Sequence, residues 1–239
     1  VDVPVLCGHR GSGRGVVNGY LENTLDSFRA GVAAGLRWVE VDARVTADNV
    51  LVARHDAVVE DGRYVSELSA EETDELGLMR IADLLEDLPP DIGVDIDVKT
   101  SLEDAQRPRD KTTGALVADV AAREAERRPL LLTSFDPSVL LITRERAPAV
   151  PIGLLTWMRF PLRKAIPAAV HLGADVIAPQ VQSFGVRVTA PPHGERPSAE
   201  SVRAAHDAGL QVLAWGQFTE ERDELIATGV DCLVIDDVL

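Results

Sequence analysis

Short apolar runs recur along the chain, and most are followed by a stretch in which apolar residues return every three or four positions, so strand and helix periods alternate almost to the C-terminus. Val3 to Cys7 reads as a buried strand opening into the loop Gly8-His9-Arg10-Gly11. Leu25, Phe28 and Val32 share one face of a helix that Asn23 or Thr24 caps and Gly35 stops. A strand over 39–43 follows. The turn signal Thr46-Ala47-Asp48-Asn49 then sends the chain back along 50–53, a run ending in His55 and Asp56. An acidic, turn-rich segment through Glu75 and a short helix over 81–88, closed by Pro89 and Pro90, read as an excursion from the core. From Gly93 onward the spacing predicts strands over 93–99, 130–135, 152–156, 175–179, 211–215 and 232–235. Between them it predicts helices over 112–128, 137–146, 162–172, 199–208 and 219–227, with an irregular stretch around Pro191-Pro192-His193-Gly194. Eight principal strands alternating with helices is the number that closes a (β/α)8 TIM barrel, here one domain over 1–239 with the hairpin and a small insertion at 47–80 after strand two. A doubly wound open sheet is the alternative, because alternation alone does not prove closure.

Two of these strands carry charge where a buried strand should not. In Val39-Glu40-Val41-Asp42-Ala43 the period of two puts Glu40 and Asp42 on one face and the valines on the other. In Val94-Asp95-Ile96-Asp97-Val98-Lys99 the acids and the lysine share a face in the same way. Like charges on a buried face are costly unless a cation lies between them or one carboxyl stays protonated. Hard oxygen donors suit Mg2+, Ca2+ or Mn2+. Read alone, an ExD also fits a solvated strand end. In a (β/α)8 barrel the chemistry sits at the C-terminal ends of the strands. The polar residues placed there form one set: His9 and Arg10, Glu40 and Asp42, His55 and Asp56, Asp97 and Lys99, with Trp215 as an apolar wall.

Composition narrows the partners. Thirty-nine acids against 24 bases give a net charge of −15, which repels nucleic acid and anionic surfaces, so a phosphate-bearing substrate needs local positive charge. Cys7 and Cys232 are too few for a disulfide framework and are expected as buried free thiols. No apolar run is long enough to cross a bilayer, so stable membrane insertion is not expected. A cytoplasmic location is expected, and secretion after removal of a leader is the alternative that a start at Val1 leaves open.

HRG at His9–Gly11, ENTL at Glu22–Leu25, ExD at Glu40–Asp42 and HD at His55–Asp56, with SFD at Ser134–Asp136, AW at Ala214–Trp215 and GVD at Gly229–Asp231, occur in an order that resembles the glycerophosphodiester phosphodiesterase family. The resemblance implies a phosphatidylinositol-phospholipase-C-like TIM barrel and metal-dependent hydrolysis of small glycerophosphodiesters. It further implies His9 and His55 as the general acid–base pair, Glu40, Asp42 and Asp97 as ligands of one divalent cation, and Arg10 and Lys99 as phosphate contacts, with no protein partner specified. Three departures stand out. Asp97 replaces the family's usual glutamate and is one methylene shorter. The loop between HRG and ENT is longer than common, and the closing TDxP has become Ile235-Asp236-Asp237-Val238.

Plainer readings accompany several of these positions. Glu22 touches the metal site or Arg10, or only favours a helix N-terminus. Asn23 is a cap or a site residue, and Asp56 orients His55 or stabilises a turn. Asp136 is taken as a helix cap, and His171, His193 and His206 as surface histidines without acidic partners. A lysophospholipase D-like or other phosphodiesterase is the alternative activity, with the long loop and Trp157-Met158-Arg159-Phe160 as its apolar groove. An inactive barrel that binds phosphodiesters or protein is the alternative outside enzymes.

Overall fold

The computed structural model describes residues 4–185, 196–216 and 222–238. Among these, eight parallel strands form a continuous ladder that closes on itself: β1 (Val5–Gly8), β2 (Trp38–Val45), β3 (Gly93–Val98), β4 (Leu130–Ser134), β5 (Ile152–Thr156), β6 (Val176–Pro179), β7 (Gln211–Trp215) and β8 (Cys232–Ile235). β1 pairs with β8 on one side, Cys7 against Val234, and with β2 on the other, Gly8 against Val39. That double pairing is the closure the alternation could not prove, and it excludes the open sheet. The α-helices α1 (Leu25–Ala33), α2 (Ala70–Glu75), α3 (Ile81–Asp87), α4 (Thr113–Glu124), α5 (Pro137–Arg146), α6 (Leu162–His171), α7 (Ser198–Asp207) and α8 (Arg222–Thr228) lie between these strands in chain order.

Strand parity divides the apolar residues into two cores. Val39, Val41, Val94, Ile96 and Leu132 point outward and join Leu84, Val117 and Leu140 of the helices in the layer between wall and helices. Cys7, Leu131, Leu155, Val176, Leu213 and Val234 point inward and fill the barrel, with Trp38 and Cys232 packed against them. Both cysteines are free thiols. Gly93 is required beneath Trp38, since a Cβ there would lie 2.4 Å from the indole. Among the described residues the barrel interior is therefore a filled core rather than a pore.

The segment after β2 has more structure than its composition suggests. Leu51–Ala53 pairs antiparallel with the end of β2, Ala53 opposite Ala43. The acidic stretch beyond it, whose composition predicts only turns, contains a 3-10 turn at Val65–Glu67 and the helix α2. α2 has a complete capping box between Ser69 and Glu72, but one and a half turns carry too short an apolar period to register. Helix ends elsewhere follow the expected chemistry, with Thr112 accepting from Ala115 N, and Asp136 from Ser138 N ahead of Pro137. The start predicted for α8 at 219 and the loop with His193 lie outside the described residues. Short ends differ by a few residues, the largest being α4, which stops at Glu124 where 128 was expected.

Candidate active site

The ladder register builds the acidic cluster. Glu40 lies beside Asp95 and Asp42 beside Asp97, so two adjacent strands bring four carboxylates to the barrel interior in two rungs. Glu40, Asp42 and Asp97 converge: a carboxylate oxygen from each lies within 4.8 Å of the others, and all three residues are buried. Asp97 needs no extra methylene because it starts on the same rung as Asp42. Glu40 starts a rung lower and uses its longer side chain to reach the cluster. Asp95 stays below, where its Oδ1 accepts a hydrogen bond from Thr133 Oγ1 at 2.9 Å.

Two cations enter this cluster. Lys99 Nζ lies 3.1 Å from Asp42 Oδ1 and also hydrogen-bonds Asp97 Oδ2. Its ammonium stands 5.7 Å over the Phe135 ring. Arg10 Nε lies 3.0 Å from Asp42 Oδ2, and its NH1 donates to Glu22 Oε1 at 2.8 Å. Arg10 is held by an unusual backbone, with φ +51, followed by Gly11 at +101, where a Cβ would lie 2.6 Å from Ser27 Oγ. This turn lets Arg10 N donate to Glu40 Oε2 at 2.9 Å. The HRG loop is stitched to the start of α1 by Asn23 N to Arg10 O and Ser12 N to Ser27 Oγ. Thr24 is the cap of α1, which frees Asn23, at φ +56, to donate through Nδ2 to Asp42 Oδ2 at 2.9 Å.

Electrostatics separates the carboxylates. Burial pushes the pKa of Asp42 up, but the charges of Lys99, Arg10 and His55 and the Asn23 hydrogen bond outweigh it and leave it at about 2. Burial, followed by repulsion from Asp42 and Asp97, holds Glu40 well above the usual carboxylate range. Asp97 is raised by burial in spite of Lys99, and Asp95 is raised well above its ordinary value by burial and by Asp97. The cluster is thus short of positive charge. Glu40 Oε1, Asp42 Oδ1 and Asp97 Oδ1 are each buried without a hydrogen bond, although Asp42 Oδ1 has the Lys99 ion pair. Two buried oxygens without a hydrogen bond and a third held only by an ion pair, from three converging carboxylates, fit a hard divalent cation.

The two histidines follow neighbouring strands, β1 and the hairpin that extends β2. His9 extends from β1, with Nδ1 2.6 Å from Asp236 Oδ1 and Nε2 3.9 Å from Glu40 Oε2. His55 follows the hairpin, and its Nδ1 is 2.7 Å from Asp56 Oδ1. Each imidazole therefore has its Nδ1 tied to a carboxylate and its Nε2 left for chemistry, a pairing that fixes the tautomer. Asp236 also accepts from Arg14 N at 2.9 Å; burial pushes its pKa up, but the His9 hydrogen bond and charge, the Arg14 N bond and the charge of Arg10 together outweigh burial and lower it.

Of the expected residues, Glu40, Asp42, Asp97, Arg10, Lys99, Glu22, Asn23 and His9 form one contact network, with His55 close enough for its charge to act on Asp42 and Asp97. Glu22 pairs with Arg10, and Asp56 binds His55. Trp215 stands edge-on to Phe135 at 5.6 Å between centroids, but its Nε1 donates to Ala178 O, so the indole is fixed to the wall. Asp236 and Arg44 were missed. Arg44 shares the face of Glu40 and Asp42 and holds the His55 carbonyl through Nε at 2.9 Å, so the same parity argument points to it. Asp236 lies two residues beyond the inward-facing Val234, and its parity was legible too. His206 is corrected: its Nε2 lies 2.9 Å from Asp231 Oδ2, a pair at the N-terminal end of β8, away from this site. His171 bonds the Pro167 carbonyl within its own helix.

The sequence profile of the glycerophosphoryl diester phosphodiesterase family matches residues 9–239. Glycerophosphocholine phosphodiesterase of Homo sapiens is 22% identical over 98% of this chain, which spans only 44% of that protein's length. A glycerophosphodiester phosphodiesterase of Thermotoga maritima superposes with a TM-score of 0.76 at 20% identity, covering 100% of this chain and 96% of that one. An Oleispira antarctica phosphodiesterase in complex with the product sn-glycerol-3-phosphate gives 0.76 at 20% identity, covering 98% and 94%. At these identities the two structures are a likeness of fold.

Proposed function

Because the chain belongs to the glycerophosphoryl diester phosphodiesterase family, we propose that its site hydrolyses glycerophosphodiesters to glycerol 3-phosphate and an alcohol, with a divalent cation and a histidine pair. The observation that carries this reading is the convergence of Glu40, Asp42 and Asp97 with two cationic side chains, near two carboxylate-bound imidazoles. These three carboxylates would hold Mg2+ or Ca2+, with Mn2+ also suited to the oxygen set, and the bound ion supplies charge neutralisation at the phosphoryl oxygens.

The rest is work for this chain's own side chains. In-line displacement at phosphorus needs a proton removed from the incoming oxygen and one delivered to the leaving oxygen. His9 and His55 present Nε2 for those two tasks, Asp236 and Asp56 stabilising whichever imidazolium forms. Arg10 and Lys99 oppose the negative charge that grows on the equatorial oxygens. Asn23 and Glu22 hold Asp42 and Arg10 in place. The incoming oxygen is the glycerol 2-hydroxyl, giving a cyclic phosphate opened later by water, or water itself. Trapping a cyclic glycerophosphate separates the two routes.

Glycerophosphocholine turnover is the test. Chelation should abolish it, a divalent cation should restore it, and His9→Ala and His55→Ala should each lower kcat by roughly 10^2–10^4. Unimpaired turnover in either variant removes the histidine mechanism, and failure of every divalent cation to rescue removes the metal assignment.

A further inference from the structure

Glu40, Asp42 and Arg44 are successive positions on one face of β2, alternating with Val41, Ala43 and Val45 of the outer core, so the strand rise spaces them about 6.6 Å apart. The first two belong to the carboxylate cluster. Arg44 is half-buried and has Asp42, Asp56 and Asp97 within electrostatic reach, yet among the described residues it forms no ion pair. Its donors go to a neutral group instead. Nε and NH2 both donate to the His55 carbonyl oxygen, at 2.9 and 2.5 Å.

The return arm of the hairpin shows what this fork holds. Leu51–Ala53 is laddered to β2, and the last main-chain bond on that arm runs from Arg54 N to Asp42 O at 3.1 Å. The next along the chain is Val65 N to Ala57 O at 2.9 Å. Between them, neither His55 nor Asp56 makes a main-chain-to-main-chain hydrogen bond among the described residues. The bond from His55 Nδ1 to Asp56 Oδ1 lies inside this two-residue gap and ties the ring to its own neighbour, not to the barrel. His9 is placed differently, because its N–H donates to Ile235 O at 3.0 Å and its ring reaches Asp236 just past β8. One histidine is part of the wall. The other is joined to it, among the described residues, by the Arg44 side chain.

A charged fork on one carbonyl oxygen is directional and stronger than a neutral hydrogen bond. Because Arg44 shares its strand with Glu40 and Asp42, the fork sets the His55 backbone against the same rigid element that carries two of the carboxylates. Displacement of a reacting group by about 1 Å is enough to slow a reaction roughly a hundredfold.

We propose that Arg44 is the positioning residue of His55: its fork on the His55 carbonyl locks the His55–Asp56 pair against β2 at the spacing that proton transfer requires. Arg44 acts through His55 and contacts no substrate. Its effect on turnover rests on the phosphodiesterase reading above, whereas its hold on His55 does not.

The test compares wild type, Arg44→Gln, Arg44→Lys, His55→Ala and the double variant carrying His55→Ala and Arg44→Gln, by steady-state kinetics and by nitrogen NMR of the imidazoles in Mg2+. On glycerophosphocholine with a saturating divalent cation, Arg44→Gln should lower kcat by roughly 10–10^2 with KM within about threefold of wild type. Arg44→Lys keeps the charge and one donor and should recover part of that loss. In the His55→Ala background, Arg44→Gln should cost less than about threefold, because the residue it acts through is gone. Without substrate, the His55 ring signals should shift or broaden in Arg44→Gln while those of His9 stay in place. A kcat for Arg44→Gln within about threefold of wild type overturns the proposal, and so does a loss of equal size with and without His55. An unchanged His55 spectrum overturns it as well. Arg44→Lys, read by the same comparisons, decides the matter should the glutamine variant not fold. No turnover by wild type, with the His55 signals still displaced by Arg44→Gln, leaves the fork standing and refutes the phosphodiesterase reading instead.

Discussion

Lys99→Met asks how much of the site's own cohesion depends on one ammonium group. The lysine side chain is 12% exposed and is paired with both Asp42 and Asp97, and methionine keeps most of its length and its contact with Phe135. Removing one partner of a buried pair costs about 3–5 kcal/mol, because the charge left behind is uncompensated. The lower figure applies if Asp97 takes up a proton, which burial already favours. For a chain of this size about 2–4 °C accompany each kcal/mol, so the cation-free variant should melt roughly 6–20 °C below wild type. Two controls separate this from lost packing. Asp42 has its pKa depressed to about 2, so its stabilisation is present above the unfolded value of about 3.9 and fades as pH falls toward 2. The deficit of the variant should therefore narrow in acid. Lys99 contributes oppositely in sign: its raised pKa keeps it charged at neutral pH, and its share is lost only at high pH, above the unfolded value of about 10.4. Millimolar Mn2+ should also raise the melting point of the variant more than that of wild type. Circular dichroism melts at pH 7 and at about pH 3, each with chelator and with Mn2+, supply all the numbers. A variant melting within about 2 °C of wild type at pH 7 without cation refutes the reasoning.

Other outcomes follow from the same contacts. Asp236→Asn keeps an acceptor for Arg14 N but no longer fixes the His9 tautomer, and steady-state assays should show kcat down roughly 10^2–10^4 with KM little changed; a loss under threefold contradicts the dyad. Thr24→Ala should cost about 0.5–2 kcal/mol in urea unfolding with kcat unaltered, since Thr24 caps α1 and bonds the Leu21 carbonyl but touches none of the site's charged groups. Asn23→Ala should instead lower kcat, because it removes the Nδ2 bond to Asp42.

Much of this architecture could be read in the residues, for reasons that differ by element. The parity of Glu40 and Asp42, and of Asp95, Asp97 and Lys99, was legible because a strand has a period of two and the intervening Val and Ile leave one face for the helices. The reach of Asp97 was not, since it depends on the register between β2 and β3, which pairs it with Asp42. Closure was likewise invisible, resting on β1 pairing with two strands far apart in sequence. Asp236 was passed over because it sits in a departure from the closing motif, although its position on the inward face was available. His206 shows the opposite error: a helix surface position gives no sign that the start of β8 brings Asp231 beside it. The helix α2 is too short for its periodicity to stand above the acidic composition around it.

The central claim is that three carboxylates on two neighbouring strands hold one divalent cation. Mn2+ titration followed by electron paramagnetic resonance measures it directly on wild type and on Glu40→Gln, Asp42→Asn and Asp97→Asn. Wild type should bind about one ion per chain, displaced by Mg2+ or Ca2+, and each substitution should weaken binding by roughly a hundredfold or more while the fold is retained. Undiminished affinity in Asp97→Asn, or no tight site in the wild type, would contradict it.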